Sequence, residues 1–201
     1  MEVVLSRVFF ISDLHFGHRK VFTFEDGWRA KVLEGITSIE EHDEALIRRV
    51  NATVNKRDWL YILGDLGFSF EKINEFKCNK KIHLGNHDHE RDLQKIANLD
   101  NTKIISCISY KRHWLSHIPI HPQEIRNRLL NIHGHNHSNS VPDERYVNVS
   151  VDITCGWPIP FEMIRDGQFK SHDILTPEDA HWQTKELGFF DEAISTGKMN
   201  R

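Results

Sequence analysis

Cysteine is scarce in this chain of 201 residues. Cys78, Cys107 and Cys155 are an odd number in no paired spacing, which excludes a disulfide framework and a thiolate zinc site and fits a reducing compartment. Long apolar runs are missing as well. The N-terminal stretch MEVVLSRVFFIS carries an acid at position 2, and its apolar part is too short and too interrupted for a signal peptide or a membrane span. A cytosolic location is therefore expected, with no membrane partner. Nor is there an excess of one charge. Lys and Arg number 26 against 29 Asp and Glu, a formal net charge of −3, which argues against a protein that holds nucleic acid mainly through a basic field. No dedicated nucleic-acid-binding region is evident. No internal repeat, low-complexity run or linker divides the chain, and its length predicts one domain over residues 1–201.

What the chain does have is histidine, 14 residues of it. Eleven fall in three groups: His15 and His18; His83, His87 and His89; and His113, His117, His121, His133, His135 and His137. Neutral imidazole is the commonest protein metal ligand, so this grouping points to metal ligation.

Five apolar stretches read as strands, over 8–12, 59–63, 81–84, 113–116 and 129–133. A helix is predicted from about Ser38 to Val54, where Ser38 and Glu41 form a capping box and Ala45, Leu46, Val50 and Val54 share one face. Phe70 to Phe76 and Arg91 to Ala97 read as shorter helices. Alternation of strand and helix predicts an α/β architecture. Further on, 147–153 alternates like a half-buried strand, 163–170 reads as a hairpin around Asp166 and Gly167, and Pro177 begins a short helix. Residues 18–37 have no clear period and are expected to form a loop with at most a helical turn. A loop of that length in a compact domain is uncommon and often functional.

The ends of the strands carry the chemistry. The five run out into Asp13-Leu-His15, Gly64-Asp65, Gly85-Asn86-His87-Asp88, Ser116-His117 and Gly134-His135-Asn136-His137. Ordinary turns also favour Gly, Asn and Asp. In open α/β sheets, however, ligands bind outside the carboxyl ends of the strands, which predicts that the five tips meet. Besides Asp88, they offer two aspartates, an amide oxygen and at least four imidazoles, ligands enough for two divalent ions sharing one carboxylate. Mixed oxygen and nitrogen ligation without thiolate suits manganese first, with iron, zinc or nickel as alternatives.

In these blocks and in their order the sequence resembles the calcineurin-like metallophosphoesterases. The stretches SDLHFGH, LSHIPI and HGHNHS are similar to the small single-domain branch found in bacteria and phages. The resemblance covers about residues 8–160, and 161–201 is a C-terminal extension that it does not reach. It implies two mixed β-sheets packed face to face and flanked by helices, a four-layer sandwich. It also implies that Asp13, His15 and His137 hold one metal ion, that Asn86, His117 and His135 hold the other, and that Asp65 bridges them. His87 would face the substrate as a catalytic residue, oriented by Asp88. The implied activity is hydrolysis of a phosphodiester or phosphomonoester by in-line attack of a metal-bound hydroxide, on a small phosphate ester of nucleotide type. A phosphoprotein phosphatase or a nuclease of the same fold is the alternative, and a non-catalytic binding scaffold is a third. His18 and Arg29, beside the first tip and in the irregular loop, are candidates to touch the substrate. Trp28 is expected to pack, and His89 and His133 are expected to lie apart from the chemistry.

Overall fold

The computed structural model describes residues 6–187. The beginning of the N-terminal stretch (1–5) and the last part of the C-terminal extension (188–201) lie outside the described residues. Among the described residues, nine strands form two mixed sheets flanked by helices. The first sheet joins β1 (Val8–Ile11), β2 (Trp59–Leu63), β3 (Asn79–His83), β4 (Thr102–Ile105) and β9 (Ile159–Pro160) in the order β4-β3-β2-β1-β9. The second joins β5 (Ile108–Tyr110), β6 (His113–Leu115), β7 (Asn131–His133) and β8 (Tyr146–Asn148) in sequence order. Strands β1 to β4 run parallel, and so do β6 to β8, while β9 and β5 are the antiparallel edges.

Burial explains why the central strands form where they do. Phe9, Phe10 and Ile11 of β1 are all buried, as are Leu60 to Leu63 of β2, which is the continuous apolar pattern of a parallel strand covered on both faces. Leu115, Ile132 and Val147 of the second sheet join the same apolar cluster as β1 to β3. The two sheets also meet at their ends, where Ser12 bridges to Ser150 and donates its N–H to the carbonyl of Val149 at 3.0 Å.

The helices are α1 (Trp28–Val32), α2 (Ile39–Thr53), α3 (Leu93–Ala97), α4 (Pro122–Ile125), α5 (Val151–Thr154), α6 (Phe161–Arg165) and α7 (Pro177–Glu186). Ser38 caps α2 by accepting from the Glu41 N–H at 3.1 Å. The return half of the predicted capping box lands one residue early, because the Glu41 carboxylate accepts from the N–H of Thr37 at 2.7 Å. Ala45, Leu46 and Val50 are buried as the periodicity requires, but so are His42, Asp43 and Arg49.

Three readings of the sequence need correction. Residues 147–153 are not one strand: β8 ends at Asn148, and Ser150 caps the short helix α5 by accepting from Asp152 N–H. The expected hairpin at 163–170 is α6 followed by a turn, since Met163 and Ile164 supply carbonyls to the N–H groups of Gly167, Gln168 and Phe169. The loop 18–37 is more ordered than its lack of period suggests, with 3₁₀ turns between Arg19 and Gly27 leading into α1.

Candidate metal centre

Parallel pairing brings the strand ends to one edge. Ile11, Ile62 and Ile82 are in register across β1, β2 and β3, and Leu115 faces Ile132 across β6 and β7. Beyond the strands the β1 and β2 tips stay hydrogen-bonded to each other: Asp13 N–H donates to Gly64, His15 N–H to Asp65 and Phe16 N–H to Leu66. To turn their side chains inward, Asp13, His15, Asp65, His135 and His137 all adopt positive φ, between 49° and 69°. Non-glycine residues rarely do so, although Asp and His tolerate it better than most. Such residues gather where function over-determines the backbone. Two glycines are required by close approach. A β-carbon at Gly85 would collide with the Asp65 carboxylate, and one at Gly134 would collide with Ser12 and Asp13.

The result is two groups of donor atoms with Asp13 in both. Asp13, His15 and His137 hold ligand atoms within 4.8 Å of one another, and Asp13, Asp65 and His117 form a second such group. The Asn86 amide oxygen lies 2.9 Å from both His117 Nε2 and His135 Nδ1. Asp65, a member of the second group, also reaches toward the first, with Oδ1 at 3.4 Å from His117 Nε2 and Oδ2 at 3.6 Å from His15 Nε2. The structure thus brings together all seven residues picked as ligands.

The chemistry of this donor set fits cations. His117 donates Nδ1–H to the carbonyl of Leu63 at 2.7 Å, so in the neutral ring Nε2 is a lone pair. That lone pair faces two more acceptors, Asn86 Oδ1 and Asp65 Oδ1. Both ring nitrogens of His15 are buried without a hydrogen-bond partner. A buried polar atom left so costs about 1–3 kcal/mol, and ligation would satisfy one of them. Among the described residues, no Lys or Arg is paired to the buried carboxylates of Asp13 and Asp65. Burial pushes the pKa of Asp13 up, against the pull of His117 and His137. Burial alone would lower the pKa of His117, but Asp65 and Asp13 outweigh it and raise it to about 9.

The candidate substrate residues fare differently. Arg29 is 1% exposed and is not available to a substrate, which corrects that reading. It donates to both oxygens of Asp152, at 2.7 and 2.5 Å, and to the backbone carbonyl of Asp13 at 3.0 Å. Asp152 in turn accepts from His137 Nδ1 at 2.9 Å. Burial would raise the pKa of Asp152, but Arg29 and His137 hold it well below the usual carboxylate range. This pair fixes the tautomer of His137 and leaves Nε2 free for a metal, the usual role of a carboxylate behind a histidine ligand. Behind Arg29 lies His42, with Nε2 at 3.3 Å, and its Nδ1 meets Asp43 at 2.8 Å. Trp28 packs as expected and donates Nε1–H to the Asp152 carbonyl at 2.8 Å.

Asp152, His42 and Asp43 escaped the sequence reading. The available signal was an acid in the alternating run VNVSVDI, but an alternating strand would have turned Asp152 to solvent with Asn148 and Ser150. Removing the charge while keeping the shape tests the role. Asp152→Asn is expected to weaken binding of one Mn²⁺ about 10- to 100-fold and to leave the other in place, read by calorimetric titration of the folded protein. Unchanged affinities at both sites would reduce Asp152 to a partner for Arg29 alone.

Asp88 also departs from its expected role. Its carboxylate accepts from the N–H groups of Asp65, Leu66 and Gly85 at 2.8 to 2.9 Å, so it ties the β3 tip to the β2 tip and does not hold the His87 ring. His87 is exposed, donates its backbone N–H to Asp65 at 3.0 Å and sets its ring 5.8 Å from that of His15. Among the described residues its ring makes no hydrogen bond. His18 does reach the site, 5.7 Å from the His15 ring. His133 is buried behind it, with Nδ1 bonded to the Gly134 carbonyl, while His89 is exposed.

No family model matches the chain. It is similar to an uncharacterized protein of Methanocaldococcus jannaschii, 25% identical over 174 residues that cover 80% of this chain and 90% of that protein. It is also similar to the Gene 66 protein of Mycobacterium phage L5, 29% identical over 101 residues. That match covers 46% of this chain and spans 45%, about half, of the phage protein's length. Among solved structures, a protein of unknown function from Aquifex aeolicus superposes with a TM-score of 0.63 at 22% identity, covering 81% of this chain and 99% of that one. That likeness concerns the fold alone. Among the described residues no helix is long and apolar enough to cross a membrane.

Proposed function

We propose that the protein is a dinuclear metal-dependent phosphoesterase with the four-layer sandwich of the calcineurin-like metallophosphoesterases, acting in the cytoplasm on a small phosphate ester. The observation that carries this reading is the position of Asp65, one carboxylate whose two oxygens face two different clusters of imidazole, carboxylate and amide donors. Asp13, His15 and His137 would hold one ion and Asn86, His117 and His135 the other, with Asp65 common to both. Manganese suits this mixed donor set first, and iron, zinc or nickel would also be accepted. When bound, such a pair lowers the pKa of a water molecule and neutralises charge on phosphoryl oxygens.

The remaining work belongs to the chain itself. The buried carboxylates and imidazoles are fixed before substrate arrives, so little reorganisation is needed when charge develops on the phosphoryl group. Among the described residues the His87 ring has no hydrogen bond, and it stands at the open side. A ring N–H of His87 donates to the leaving ester oxygen. Asp88 keeps the turn that carries His87 closed, through the three backbone N–H groups that it accepts.

The test is hydrolysis by purified protein loaded with Mn²⁺, across a panel of alkyl and aryl monoesters and diesters. Turnover that disappears on chelation and returns with Mn²⁺ is expected. Metal binding without turnover of any ester would leave a binding scaffold as the reading to pursue.

A further inference from the structure

Beside the metal centre the chain leaves an aromatic surface bare. Phe68 is 64% exposed and Phe24 37%, and between them stands His18. The His18 ring stacks on Phe68 at 4.9 Å and 16°, and its centroid is 5.4 Å from that of Phe24. A lone exposed apolar side chain is ordinary. Here the exposure has a direction: one face of the Phe68 ring is covered by His18, so the exposed area belongs to the other face and the edge. Phe68 also lines a cleft of about 470 Å³ that reaches His87. The lining joins the apolar Phe68, Phe70 and Ile96 to the polar His87, His89 and Arg91.

We infer that Phe68, backed by His18, is a stacking platform for a nucleobase in the ester group of the substrate, which makes a nucleoside phosphate the substrate class. The inference rests on the phosphoesterase reading for the place of the phosphoryl group, at the clusters around Asp65. From His15 to Phe68 there are two ring-to-ring steps, of 5.7 and 4.9 Å. A base joined to phosphorus through a sugar is long enough to span those two steps, and Phe68 and His87 line the same cleft. The mixed lining suits the same group, a flat apolar base joined to a polar sugar. Stacking of a base on an aromatic side chain corresponds to roughly 5- to 150-fold in affinity.

The experiment compares two ligands that an ester hydrolase cannot cleave, the methylenephosphonate isosteres of AMP and of ribose 5-phosphate, by calorimetry on the Mn²⁺-supplemented protein. The base-bearing ligand is expected to bind at least about 5-fold tighter. In Phe68→Leu that ratio should fall to near one with the affinity for the sugar phosphonate unchanged, and in Phe68→Trp it should persist. The exposed position of Phe68 keeps both variants folded. Equal binding of the two ligands by the native protein, or a ratio undiminished in Phe68→Leu, would overturn the platform. A short trinucleotide binding more than tenfold tighter than the mononucleotide isostere would overturn the small-molecule assignment and make the ligand a strand end. Because neither phosphonate is hydrolysed, the ratio is read independently of catalysis. Phosphate release from a simple alkyl ester would stand even if the platform fell.

Discussion

Asp65→Asn is expected to reduce bound Mn²⁺ from near two ions per chain to less than one at the same free concentration. The reason lies in where the two carboxylate oxygens sit. Oδ1 faces His117 at 3.4 Å and Oδ2 faces His15 at 3.6 Å, so one substitution acts on both clusters. The amide keeps an oxygen that can still accept from the His87 N–H, now 3.0 Å from Oδ1, and the β2 and β3 tips should stay closed. What it cannot keep is the negative charge. Loss of a group behind a ligand costs about 10- to 100-fold in metal affinity, and loss of a charge shared by two ions should exceed about 100-fold for the weaker of them. Elemental analysis after gel filtration, with circular dichroism to verify folding, reads the outcome. Two ions retained in Asp65→Asn would remove the shared-carboxylate assignment while leaving a site for two ions.

The same geometry explains why some of this protein was legible in its sequence and some was not. β1 and β2 were readable because a parallel strand buried on both faces must be apolar throughout, and their lengths follow the runs VFFI and WLYIL. The edge strands gave no such signal. β4 and β5 are partly exposed, and β9 is two residues, one of them Pro160, which a central strand would not accept. The candidate ligands stand in the short blocks after the strands, where the family resemblance assigned them, and glycines at 64, 85 and 134 make room for the tips to approach. Arg29 was misread because its partner is 123 residues away in sequence. An arginine in an aperiodic loop reads as a surface cation until the fold supplies Asp152 beneath it. Asp88 was misread for the opposite reason. Adjacency to His87 suggested a pair, whereas the backbone N–H groups of three residues on two tips claim its oxygens first.

His87→Ala is expected to keep both ions and to lose about 10²- to 10⁴-fold in kcat on an ester with a poor alkoxide leaving group. Retention follows from position. Its backbone N–H, present in any residue, makes the contact with Asp65, and its ring lies 5.8 Å from His15 without joining either donor cluster. The rate loss follows from the leaving group, because an alkoxide departs only with a proton and His87 is the imidazole free to supply it. Nitrophenolate departs without one, so the loss on a nitrophenyl ester should be much smaller. A His87 that instead stabilises charge on the phosphoryl oxygens would cost both substrates alike. Single-turnover rates for the two esters, with metal content measured on the same samples, separate these roles. Equal losses would replace proton donation by electrostatic stabilisation, and loss of an ion in His87→Ala would turn His87 into a ligand and redraw the site.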